Sequence, residues 1–187
     1  MDLQEVFDRC KVCYLEINRD ISAMAEAIGV MMQERGKNFD PKVTVMKFDL
    51  ILQYSLLQVA CSDYDLAQNE IVFIRDLTKN ADYCKYISFV SKKPCTWADL
   101  LNSDIVAVRS LLRATEEDMK ELSDEVVNVF AIADKATEYD FLSDLRVNLL
   151  LIISGLSMMD GDIESEDYSQ SVLILDVVKR IGDLLGQ

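Results

Sequence analysis

Apolar residues recur at steps of three and four along the first part of the chain: Val6, Cys10, Cys13 or Tyr14, Ile17, Ile21, Met24, Ile28 and Met31 or Met32. Side chains at that spacing share one face of a helix, so the pattern predicts one long amphipathic helix from Leu3 to Gln33. Gly36, Asn38, Asp40 and Pro41 then gather turn-formers. Pro41 suits the first turn of a following helix, where its missing N–H would have no partner in any case. That helix, predicted over Val43 to Ser62, carries Val45, Phe48, Leu52, Leu56, Val59 and Ala60 on one side, with Leu50, Ile51 and Leu57 widening the face. It reads as largely buried.

Asp63-Tyr64-Asp65 interrupts the pattern, and Leu66 to Thr78 restarts it with Ile71, Ile74 and Leu77. A shorter helix is predicted over Asn80 to Val90, and another over Trp97 to Leu112, with Thr96 placed to cap it. Thr115-Glu116-Glu117-Asp118 has the form of a capping box opening a helix to about Lys135. Asp140 to Met159 and Ser165 to Leu185 complete the series, with Phe141, Leu145, Leu149 and Ile152 on the first and Ile174, Val178, Ile181 and Leu185 on the second. With only 6 glycines and 2 prolines in 187 residues, there is little of the punctuation that hairpins need. The expectation is a single all-α domain of about seven to nine helices spanning 1–187.

Two acidic turns are related to each other. Placing Asp63 on Asp160 puts Asp65 on Asp162, Leu66 on Ile163 and Glu70 on Asp167, while Leu52 falls on Leu149 and Leu56 on Ile153. Charge and core positions agree together, which predicts an internal pseudo-twofold repeat of helix, acidic turn, helix, with units at about 43–83 and 140–185 and an N-terminal helical extension at about 1–40. Such a turn has two readings. Carboxylates at i and i+2 can hold turn and helix-start amides, or they can supply hard oxygen ligands to a divalent cation such as Ca, Mg or Mn. An EF-hand fails, because Ser165 stands where its glycine belongs and Ser171 where its last glutamate belongs.

The run Leu156-Ser157-Met158-Met159-Asp160-Gly161-Asp162-Ile163-Glu164-Ser165-Glu166-Asp167, with Val59-Ala60-Cys61-Ser62-Asp63-Tyr64-Asp65-Leu66-Ala67-Gln68-Asn69-Glu70 as its first copy, resembles the tellurite-resistance TerB-like family. The resemblance covers about 43–185. It implies a compact helical stress-response module without a known reaction, taking part in larger assemblies. It also implies a metal site whose oxygen ligands would be Asp63, Asp65, Glu70, Asp160, Asp162 and Asp167. The first copy departs from the pattern: Tyr64 replaces the turn glycine, and a tyrosine at a left-handed position costs energy that glycine avoids. A turn of different shape is therefore expected there.

Charge narrows the partners. The chain carries 33 acidic and 19 basic side chains, a formal charge of −14, so its averaged field repels phosphate backbones and anionic surfaces. Nucleic acid is not expected; a protein partner is. The N-terminus has no basic region followed by an apolar segment, and the apolar run Val147 to Met159 is shorter than the roughly 20 residues of a spanning helix. No transmembrane segment and a cytoplasmic location are expected, with Val147 to Met159 as a buried core helix. Cys10, Cys13, Cys61, Cys84 and Cys95 are expected as reduced thiols, and the Cys10–Cys13 pair as packing.

An enzyme is not expected. The chain contains no histidine, so Ser-His-Asp and Cys-His arrangements and Glu-x-x-His di-iron sites have no basis, and neither a nucleophile elbow nor a P-loop occurs. A Mg-dependent nucleotide hydrolase would need acids spaced as Glu116, Glu117 and Glu121 are not, with Lys120 at the third position. Two readings then stand together: a TerB-like cation-binding stress-response module, and a metal-free helical adaptor for a protein partner.

Overall fold

The computed structural model describes residues 2–79, 82–137 and 139–159. These form eight α-helices: α1 (Leu3–Glu34), α2 (Pro41–Ala60), α3 (Gln68–Leu77), α4 (Lys85–Ser91), α5 (Trp97–Leu101), α6 (Ile105–Ala114), α7 (Glu116–Thr137) and α8 (Phe141–Ser157). The chain is all-α, as its periodicity predicts. Among the described residues the one β-type pairing is an isolated antiparallel bridge between Tyr83 and Thr96. The helix expected over Ser165 to Leu185 lies outside the described residues.

The bundle is built around α2, which touches α1, α3, α4, α6, α7 and α8. Its apolar face is buried as expected, and Gln53, Tyr54 and Ser55 are buried as well. From Phe48 to Ala60 no residue of the helix is exposed, which places that stretch at the centre of the core. Among the described residues α2 is the one helix long and apolar enough to cross a membrane, and 67% of that stretch is buried inside the bundle. The Val147 to Met159 run, which reads from the sequence as a buried core helix, lies in a two-faced α8, with Leu145, Leu149, Ile152, Ile153 and Leu156 inside and Val147, Leu150 and Leu151 exposed.

α1 lies against α8, α2, α7 and α3 and buries the predicted stripe from Val6 to Ile28. The approach to α8 is close. A Cβ added at Gly155 would come within 2.2 Å of Cys10 Sγ, and the Cys10 thiol faces the Leu151 carbonyl at 3.6 Å. Cys10 and Cys13 are both buried and free, and burial pushes the Cys10 thiol up to about 11. Cys10 packs the two helices together, and Cys13 is buried on the same face of α1.

Three boundaries differ from the periodic reading. The helix expected from Asn80 starts at Lys85, because the Tyr83 bridge and the Cys84 N–H, which donates to Cys95 O at 3.0 Å, hold Tyr83 and Cys84 extended. The helix expected over Trp97 to Leu112 is two helices. Asp104 accepts from Val106 N at 3.0 Å and so caps a new start, and Asn102 ends the preceding helix. Thr115 does separate α6 from α7, but its hydroxyl is turned back to Leu111 O at 2.9 Å and to Tyr86 Oη at 2.5 Å instead of capping α7.

Candidate functional site

The first acidic turn joins α2 to α3. Asp63 Oδ1 accepts from Asp65 N at 3.0 Å, a side chain holding a backbone amide two residues on, which closes the turn. Asp65 Oδ1 accepts from Leu66 N at 2.8 Å. Ala67 begins α3 without a side-chain oxygen of its own; Glu70 reaches back instead, and its Oε2 accepts from Ala67 N at 2.9 Å. Glu70 is 3% exposed. All three sequence-predicted acids of this turn therefore hold backbone amides at the start of α3, where negative charge also favours the helix end.

Tyr64 occupies the left-handed region at φ 71°, so the first turn takes the conformation that favours glycine despite the tyrosine. What offsets the strain comes from α6. The Arg109 guanidinium lies 3.5 Å from the Tyr64 ring centroid, and its Nη1 donates to the Cys61 carbonyl and, at 2.9 Å, to the Ser62 carbonyl. One arginine thus satisfies carbonyls that α2 leaves open at its C-terminus and stacks on the strained residue. The Cys61 thiol is pushed up to about 12, first by burial and then by the Glu70 carboxylate, so it stays neutral near pH 7.

Asp160, Asp162 and Asp167 lie outside the described residues, so the predicted six-residue set is described only in its first half. Among the described residues no three Cys, Asp or Glu side chains converge in a metal-holding group. Glu116, Glu117 and Glu121 are exposed on α7.

A second feature lies where two distant segments meet. α2 residues 42–50 and the stretch 83–94 around α4 enclose a surface groove of about 1010 Å³. Met46, Tyr83 and Phe89 line it at 46%, 49% and 49% exposure, large apolar side chains that fold-internal packing leaves uncovered. Lys42, Lys85, Lys92 and Lys93 also line it, against a single acid, Asp49, which Lys85 Nζ meets at 2.8 Å. Lys92 ends α4 at φ 55°, and Lys93 precedes Pro94, which disfavours further helix, so the two lysines sit at the groove's edge. The periodic reading ends a helix at Val90 and goes no further; the signal it leaves unused is that Met46 and Phe89 are apolar positions the core does not bury.

One buried side chain of α2 caps the groove's α4 wall. Gln53 Oε1, from the centre of α2, accepts from Tyr86 N at 3.1 Å and from the Cys84 thiol at 3.7 Å. Cys84, the residue at the start of α4, provides no side-chain cap, so Gln53 caps α4 from another helix. Its Nε2 donates to Thr78 Oγ1 at 3.4 Å, and that hydroxyl in turn donates to Ile74 O at 2.8 Å.

The chain matches no protein family, no characterised protein and no solved structure.

Proposed function

We propose that the chain is a non-enzymatic helical interaction module, similar in plan to the TerB-like stress-response proteins, which holds a protein partner in the groove between α2 and α4. The observation that carries this reading is the groove's three large apolar side chains, each about half exposed on one face. Contiguous apolar surface rimmed by polar groups is the mark of an interaction site, and aromatic anchors supply much of the binding energy at such sites. The repeat reading has support in the burial of its matched core pairs, Leu52 with Leu149 and Leu56 with Ile153.

Site-specific photo-crosslinking in the cell tests the proposal. A crosslinker at Phe89 should capture a defined partner that the same group at Val106, exposed on α6, does not. Equal capture from both positions, or none, overturns it.

Cation binding is the second reading, favoured by the exposed Asp63 and Asp65 at i and i+2 in one turn. A cation there would draw on oxygens that now order the start of α3. Calorimetric titration with Ca, Mg and Mn decides it: sub-millimolar binding that is lost when Asp63, Asp65, Asp160 and Asp162 are replaced by Asn supports the cation site, and no heat of binding removes it.

A further inference from the structure

The groove's charge opposes that of the whole molecule. The chain has a formal charge of −14, yet this apolar groove is rimmed by Lys42, Lys85, Lys92 and Lys93 with Asp49 as the one acid. Among the described residues Lys42, Lys92 and Lys93 form no ion pair.

We infer that this groove binds an acidic amphipathic helix of a partner protein, with the partner's apolar face on Met46, Tyr83 and Phe89 and its acidic flank against Lys42, Lys92 and Lys93. The inference rests on the groove reading proposed above and adds the chemistry of the occupant. Residues 42–50 of α2 supply a wall about 13 Å long at about 1.5 Å per residue, so the docked stretch is two to three turns with anchors at i, i+3 or i+4, and i+7. The charge sign selects among occupants. A basic segment would be attracted by the net charge of the molecule but repelled at the groove itself, whereas an acidic segment is repelled at long range and drawn to this one face. An extended anionic bilayer would also have to approach the rest of a molecule whose formal charge is −14, so a single narrow segment fits better than a membrane.

The experiment titrates the full chain, carrying 13C-methyl-labelled methionines, with three synthetic 14-residue helical peptides that share one Leu/Phe face and differ in flank: Glu, Gln or Lys. The Glu peptide should shift the Met46 methyl signal and bind at least about tenfold more tightly than the Lys peptide. The doubly substituted Lys92→Glu, Lys93→Glu chain should reverse that order with its helical circular dichroism unchanged, and raised salt should weaken the Glu peptide most. If the Gln or Lys peptide binds at Met46 as well as the Glu peptide does, the acidic-helix inference fails while the groove reading stands. If no peptide moves Met46, both fail. Equal displacement of the Met46 signal by anionic phospholipid vesicles, or by self-association that Met46→Glu abolishes, also overturns the inference, since the occupant is then a lipid surface or a second copy.

Discussion

Replacing Gln53 by Met tests how the groove wall is held. The side chains are close in length and volume, so the change removes hydrogen bonding with little loss of packing. Tyr86 N–H then loses its acceptor at 3.1 Å inside a fully enclosed region, since Gln53 and Tyr86 are both 0% exposed. A buried donor left unpaired costs about 1–3 kcal/mol. The weaker contacts at 3.4 Å to Thr78 Oγ1 and 3.7 Å from the Cys84 thiol bring the expected loss to about 2–4 kcal/mol. With a urea dependence of about 2 kcal/mol/M for a chain of this size, the unfolding midpoint should fall by about 1–2 M. Hydrogen exchange at the Tyr86 amide should accelerate more than exchange in α8. Thr78→Val, which leaves the Tyr86 amide bonded to Gln53, should cost clearly less. A midpoint shift under about 0.3 M for Gln53→Met, with Tyr86 exchange unchanged, would refute the cap.

Gly155→Ala, which in an ordinary helix interior gains up to about 1 kcal/mol, should instead destabilise by about 1–3 kcal/mol, because the new Cβ meets Cys10 Sγ. A double-mutant cycle with Cys10→Ala should show positive rescue of about 1 kcal/mol or more, and additive losses would contradict the contact. At the acidic turn, Tyr64→Gly should be about 1 kcal/mol more stable than Tyr64→Ala in chemical denaturation, since both lose the Arg109 stack but only alanine keeps the strain of φ 71°; equal stabilities would place the strain elsewhere. Alkaline pH should weaken the fold. Cys10, Cys61 and Cys84 are raised from 9.0 to about 11, 12 and 12, each chiefly by burial, so the folded state keeps protons that the unfolded state releases. Their contribution is intact below about pH 9 and is lost progressively from there until pH passes the folded values of about 11 to 12, at up to about 1.4 kcal/mol per pH unit for each thiol. Urea midpoints between about pH 8 and 10.5 should therefore fall, and fall less in a Cys84→Ala chain; a flat profile would contradict it.

The long elements were legible because their signal is collective. Along α1 the stripe from Val6 to Ile28 is repeated often enough that no single residue decides it, and α2 and α8 were placed within a few residues for the same reason. The short elements were not, because the boundary of each depends on one polar side chain and the partner it finds. Asp104 splits a periodic run by capping at Val106, and Thr115 turns from its own helix start to a tyrosine on α4, a choice set by tertiary neighbours. The acidic turn was visible as a string, but the arginine that shapes it comes from 45 positions beyond Tyr64, with nothing in the spacing to join them.

The groove lies further still from sequence pattern, since its walls belong to segments that periodicity treats separately. Gln53 links them. A glutamine in the middle of an apolar helix reads as a flaw in the core face, yet here it is the acceptor that fixes the first turn of α4 beside α2. Because α4 is only seven residues long, its own hydrogen bonds would not hold it as a helix in water. Its position depends on the Gln53 cap, on the burial of Tyr86 and Ile87, and on the tilted ring contact of Tyr86 with Tyr54, centroids 5.3 Å apart. Phe89 and the two lysines after it are carried by that short helix, so core and groove are coupled. A change at Gln53, fully buried and touching no partner, should weaken peptide binding at Met46 and Phe89 together with stability, whereas Lys92→Glu should alter binding alone.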